Sequence, residues 1–312
     1  MKIAIIGTGN VGGTLALELL GLGIEQLLLI DTIPNLAEAK ALDLEDALAV
    51  HRYNRCVNIR GSQNIEDVVN SNIVIITAGF SRRAGMTREE LLKKNALIVK
   101  EISLKIKPLC PQAIILVVTN PVDIITYLVL KTINFSRQRV LGIGTNLDAA
   151  RFANLISRQL NIACSDIETL VIGAHGETML PLERFTAIRN LPLNNFIDDK
   201  NIKKILEETV NRGTKIVSRY STGSAYFGPA VAIARVIRAI INDEHIKLGV
   251  SAYLDGEYGS KDICIGVPCI LGKVGIENIV ELKLNSYETE FFLKSIDSIN
   301  QQKEILKRDG IL

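Results

Sequence analysis

Tryptophan is absent from this 312-residue chain, and histidine is scarce, with only His51, His175 and His245. The five cysteines, Cys56, Cys110, Cys164, Cys264 and Cys269, are odd in number and form no CxxC pair. This speaks against a disulfide framework and a zinc site, and no HExxH run or Cys/His cluster points to another resident metal. The expected setting is reducing and cytoplasmic. No stretch reaches the roughly 20 uninterrupted apolar residues of a membrane span. The apolar run from Lys2 to Gly7 is too short for a signal-peptide core, and glycines break it at once. Net charge is small as well. Thirty-six Lys and Arg against 34 Asp and Glu leave a formal +2, too little to make nucleic acid or a membrane surface the main partner. Internal repeats and low-complexity tracts are not evident.

What is present is apolar sequence in short, regular pieces. Hydrophobic residues make up 47% of the chain and charged residues 22%, enough for a globular core in one large unit or two linked ones. Lys2–Gly7, Leu27–Asp31, Asn72–Gly79, Ala113–Pro121 and Val140–Thr145 are rich in Val and Ile and read as buried strands. Val11–Leu22 and Arg88–Lys107 carry helical spacing between them. Buried strands alternating with helices predict a doubly wound parallel sheet of the Rossmann type. The second half is less regular and reads as α+β. Leu147–Leu160, Asn201–Arg219 and Asn285–Lys307 are expected helices. Asp262–Leu271 and Ile276–Leu282 are expected strands around a turn at Gly272–Gly275. The boundary is placed near 145, giving domains 1–145 and 146–312.

Gly7-Thr8-Gly9-Asn10-Val11-Gly12 follows the first strand and opens a helix. That context turns a common GxGxxG pattern into a specific one. The first glycine permits a tight turn, the second lets backbone approach a pyrophosphate, and the third lets helix and strand pack closely. Free amides at the helix start bind phosphate. Asp31 ends the next strand, where an acid accepts from ribose hydroxyls and repels a 2′-phosphate, so NAD is favoured over NADP. Asn120, before Pro121, stands at the carboxyl end of a later strand, either as a ligand contact or as an ordinary turn residue.

His175 sits in Gly173-Ala174-His175-Gly176-Glu177 after the strand-like Thr169–Ile172. It reads as a proton shuttle or as a surface loop histidine. Asp148 and Arg151 share one helix face by their i, i+3 spacing, behind Asn146 as the expected N-cap. The bland reading is an Asp favoured by the helix dipole and a solvated Arg. The stretch from Ser81 to Arg88 holds Arg82, Arg83 and Arg88, and fits either an anion-binding loop or a solvated basic one.

In order and spacing, these motifs resemble the lactate/malate dehydrogenase family over nearly the whole chain, closest to its lactate-dehydrogenase-like malate branch. The resemblance implies that Gly7, Thr8, Gly9, Asn10, Val11, Gly12 and Asp31 bind NAD, with Asn95, Val118, Thr119 and Asn120 as further cofactor contacts. It implies that His175 exchanges the substrate proton and that Asp148 orients it. Arg151 would grip the shared carboxylate, Arg88 polarise the carbonyl, and Arg82 set specificity, with Asn120 also reaching substrate. The implied reaction is reversible hydride transfer between malate and oxaloacetate, in a homodimer or homotetramer. Thr145-Asn146 and Ala84 lean towards the lactate branch. Arg82, Met86 and Thr222–Tyr226 lean towards malate, and Arg82 weighs most, because a second carboxylate in a closed site needs a cation. A lactate or relaxed 2-hydroxy-acid dehydrogenase is the alternative, and an idle NAD-binding protein the remote one.

Overall fold

The computed structural model describes residues 1–53, 56–80, 86–220 and 223–312. Six strands make its first half: β1 (Lys2–Ile6), β2 (Gln26–Ile30), β3 (Asn58–Ser62), β4 (Ile73–Ile76), β5 (Ile114–Val117) and β6 (Val140–Ile143). They run parallel in the order β3-β2-β1-β4-β5-β6. The helices α1 (Asn10–Leu19), α2 (Leu36–His51), α3 (Arg88–Leu109) and α4 (Val122–Ile133) connect them. Ile3, Ala4 and Ile5 of β1 and Val74, Ile75 and Ile76 of β4 are wholly buried. Strands covered on both faces must be apolar throughout, so they read as unbroken Val/Ile runs. Strand order reverses between β1 and β4. The crevice beyond the carboxyl ends of strands at such a point is the ligand site of open α/β sheets.

After α5 (Thr145–Leu160) come the short strands β7 (Ile167–Glu168), β8 (Val171–Ile172), β9 (Leu180–Pro181), β10 (Ala187–Ile188) and β11 (Leu191–Pro192). Then follow α6 (Asp199–Tyr220), α7 (Phe227–Ile241), β12 (Ile246–Asp255), β13 (Lys261–Gly272), β14 (Gly275–Ile279) and α8 (Ser286–Arg308). The last three strands form an antiparallel meander whose β12 pairs with β6, Val250 opposite Ile143. The sheet is thus nine strands wide and crosses residue 145. Its core is continuous too, while a smaller cluster of Phe152, Ile156, Ile188 and Ile202 lies wholly in the second half. Among the described residues, no helix is long and apolar enough to cross a membrane.

The structure departs from several sequence expectations. The strand expected over Asn72–Gly79 ends at Ile76, and that over Ala113–Pro121 ends at Val117. The residues beyond leave the sheet to line the crevice. Asn146 is not the N-cap of α5, which begins one residue earlier behind Gly144. Its side chain instead donates to Ala232 O at 3.0 Å, tying α5 to α7.

Candidate active site

The Gly-rich turn is shaped by its neighbours. Gly7 has φ +95°, a left-handed conformation that favours glycine. A Cβ on Gly12 would lie 2.1 Å from Gly7 O, so helix and strand could not pack with a side chain there. At Gly9 a Cβ would meet nothing within 4 Å. That position needs no glycine for packing, and its open face suits close approach of a ligand. Thr8 is wholly buried and serves the turn differently. Its amide and hydroxyl donate to Asp31 Oδ2 at 2.7 and 3.0 Å, while Ile33 N donates to Oδ1 at 3.0 Å. Asp31 is therefore held rigidly at the mouth of a cleft of about 650 Å³ that Gly7, Gly9, Asn10, Val11 and Gly12 also line. Thr32, Ile33, Leu36 and Ile65 wall the cleft beside Asp31; Lys105, which also lines it, pairs with Glu101 at 3.0 Å, and Lys40 donates to Gly9 O at 3.1 Å.

A second cleft of about 310 Å³ shares Val11, Thr77, Gly79, Phe80, Gly223 and Ser224 with the first, so the two form one trough. Its floor carries Val118, Thr119, Asn120 and His175. Thr119 Oγ1 donates to Ala78 O at 2.7 Å, joining the ends of β4 and β5. Asn95 is almost fully buried within α3 and does not face the trough. It accepts from Phe80 N at 2.7 Å and donates to Asn120 O at 2.7 Å. It therefore shapes the site by holding the backbone around it.

At the inner end, α5 brings two sequence candidates to a third. Asp148 is wholly buried. Its Oδ2 lies 2.7 Å from His175 Nδ1, and Arg151 donates through NH1 to its Oδ1 at 3.0 Å. The turn after β8 delivers His175, where positive φ at Gly173 and Gly176 bends the chain on either side. Burial works against the charged imidazole, but the charge and hydrogen bond of Asp148, aided by Asp123, outweigh it. Its pKa is therefore held above the ordinary histidine value. The other histidines lie elsewhere. His51 stacks on Tyr53 at 5.1 Å, and His245 bonds Glu277 at 2.6 Å beside the β13–β14 turn.

Arg88 begins α3 behind a capping box, in which Thr87 Oγ1 accepts from Glu90 N at 3.1 Å. Its side chain is exposed and paired with Glu177, two residues beyond His175, rather than lining the trough. Arg82 and Arg83 lie outside the described residues. Sequence reasoning missed Glu177 as the partner of Arg88, although it stands within the histidine motif. It also missed Asp123, whose signal was an acid in the first turn of the helix after Asn120-Pro121.

Known proteins match this arrangement from end to end. Residues 1–142 match the lactate/malate dehydrogenase NAD-binding domain, and residues 145–308 the lactate/malate dehydrogenase alpha/beta C-terminal domain. A malate dehydrogenase of Methanosarcina mazei is 41% identical over 301 residues, covering 96% of this chain and 97% of that protein. The crystal structure of Cryptosporidium parvum malate dehydrogenase superimposes with a TM-score of 0.95 at 35% identity, covering 98% of this chain and 99% of that one. A lactate dehydrogenase from Eimeria maxima with NADH and oxamate matches with a TM-score of 0.94 at 34% identity, over 99% of this chain and 95% of that one. With both halves matched in sequence and in fold, the chain belongs to the lactate/malate dehydrogenase family.

Proposed function

We propose that this protein is an NAD-dependent malate dehydrogenase with His175 as its proton acceptor and donor. The observation that carries the reading is the Arg151–Asp148–His175 chain at the inner end of the trough whose outer end holds the Gly-rich turn and Asp31. The open face of Gly9 and the anchored Asp31 fit NAD. When bound, NAD supplies the hydride acceptor, and NADH the donor. The residues do the rest. Asp148 accepts from Nδ1 of His175, which leaves Nε2 free to take the malate hydroxyl proton. As that proton arrives, the imidazolium is stabilised by the carboxylate already beside it. Arg151 spends one N–H on Asp148 and keeps the others for the carboxylate next to the reacting carbon. Asn120, Val118 and Thr119 fix cofactor and substrate against the floor. Arg88 exchanges Glu177 for the substrate oxygen, and Arg82 takes the second carboxylate, which selects malate over lactate.

Residues 1–145 would thus hold the cofactor and 146–312 most of the substrate machinery. We assign a homodimer or homotetramer in the cytoplasm. The assembly is supported by exposed Leu42 and Val50 of α2 and Phe227 and Val231 of α7, two helices that both pack on α1. The test of the assignment is His175→Asn. Turnover of oxaloacetate should fall by at least about 10²–10⁴-fold while NADH still binds. Near-normal turnover would refute it.

A further inference from the structure

Two buried carboxylates stand behind His175, and the mechanism above uses one. The other is Asp123, in the first turn of α4. It is 4% exposed, and its Oδ2 accepts the backbone N–H of His175 at 2.8 Å. Its Oδ1 is buried without a hydrogen-bond partner, and an unsatisfied acceptor at that depth calls for a reason. The sheet beneath is built from small residues where α4 and the His175 turn rest on it. Gly142 of β6, Ser251 of β12 and Gly266 of β13 stand in one row, and Gly266 bridges to Gly173, two residues before His175. A Cβ on Gly142 would come 2.3 Å from Thr126 Oγ1, and one on Gly266 would come 2.6 Å from Gly173 O. Glycines inside strands weaken a sheet unless close approach requires them. Here they let the start of α4 and the His175 turn settle onto it.

We propose that Asp123 is a positioning residue for the catalytic histidine, pinning its backbone through Oδ2 and placing a second carboxylate behind the ring. The inference rests on His175 being the proton carrier. The groups facing the imidazole are Asp148 and Arg151 of α5 and Asp123 of α4. The two carboxylates favour its cation, and Arg151 opposes it. Facing Asp123 are His175, Asp148, the Ser251 hydroxyl on β12 and the Cys264 thiol on β13. Burial pushes the Asp123 carboxyl above the ordinary carboxylate value and Asp148 adds to this, while the nearby Ser251 hydroxyl and the amide and imidazole of His175 offset it only in part. The N-terminal end of α4 also favours its anion.

The experiment is an NMR titration of the imidazoles, which three histidines make simple to assign. Asp123→Asn keeps an oxygen for the His175 amide and removes only the charge. The His175 midpoint should move to lower pH. The loss of kcat/KM for oxaloacetate should be larger near about pH 8 than near about pH 6, with NADH affinity unchanged. A purely structural role would leave the midpoint in place, and an unmoved midpoint overturns the proposal. If Asp123→Asn does not fold, Ser251→Ala decides. Ser251 Oγ makes no hydrogen bond of its own, so its loss removes only a hydroxyl dipole that faces the carboxyl; the His175 midpoint should move the same way by less, and no movement overturns the proposal. Should His175→Asn keep its turnover, the functional reading fails regardless of the titration. If His175→Asn is inactive but the midpoint is fixed, only the role of Asp123 fails.

Discussion

Replacing Asp148 with Asn isolates the centre of the site. The carboxylate is wholly buried and shared, one oxygen 2.7 Å from His175 Nδ1 and the other 3.0 Å from Arg151 NH1. An amide has one oxygen and one NH2 group, so it can serve only one partner. If its oxygen faces His175, its NH2 opposes the Arg151 donor, and the guanidinium loses its anchor. If its NH2 faces His175, Nδ1 must become the acceptor and Nε2 carries the proton, so the ring cannot take one from malate. Either orientation also leaves the Arg151 guanidinium without its carboxylate. Breaking a buried pair costs about 3–5 kcal/mol, and each 1.36 kcal/mol is about tenfold in rate. Asp148→Asn should therefore lower kcat/KM for oxaloacetate by about 10²–10⁴-fold. Loss of NADH absorbance measures the rate, and NADH fluorescence checks that the distant Gly-rich end still binds. A folded variant within about tenfold of the unmodified protein would refute the reasoning.

The glycines of the turn should respond differently. Gly9→Ala meets no protein atom within 4 Å, so it should keep its Tm and weaken NADH binding by about tenfold or more. Gly12→Ala would put a Cβ 2.1 Å from Gly7 O, so it should lower both Tm and NADH affinity. Equal effects on Tm, read by thermal denaturation, would contradict the packing argument. The pH dependence follows from the raised pKa of His175. Oxaloacetate reduction consumes the imidazolium, so its kcat/KM should be highest at low pH. It should decline through a midpoint above the ordinary value of about 6.5. Malate oxidation needs the neutral ring and should rise through the same midpoint. Parallel profiles for the two directions would be incompatible with one histidine serving both.

Much of the first half was legible because strands buried on both faces leave unbroken apolar runs. The same reasoning passed over β3, an edge strand that carries Asn58, Arg60 and Gly61. It passed over β12, where Lys247 and Gly249 interrupt the apolar pattern. Helix α4 was invisible for the opposite reason. Every residue from Val122 to Leu130 is buried, and a short, mostly apolar run of that kind reads equally as strand or helix. In the site, Asp148, Arg151 and His175 announced themselves by residue type and motif. Spacing alone could not say that the side chain of Arg88 lies on Glu177, or that Asn95 turns its amide to backbone instead of the trough. Those are rotamer choices made by tertiary neighbours. Asp123 was missed because an acid in the first turn of a helix normally needs no explanation beyond the helix dipole.

The substrate assignment rests on Arg82, six residues before Arg88 in the sequence. The direct test compares kcat/KM for oxaloacetate and pyruvate with NADH, in the unmodified protein and in Arg82→Gln and Arg83→Gln. Both keto acids offer Arg151 the same carboxylate, and only oxaloacetate offers a second. An arginine left desolvated and unpaired by pyruvate costs about 3–5 kcal/mol. The unmodified protein should therefore prefer oxaloacetate by about 10²–10³-fold or more. Arg82→Gln should remove most of that preference, and Arg83→Gln should leave it largely intact. Pyruvate turnover rivalling that of oxaloacetate in the unmodified protein, or control of the ratio by Arg83, would contradict the account.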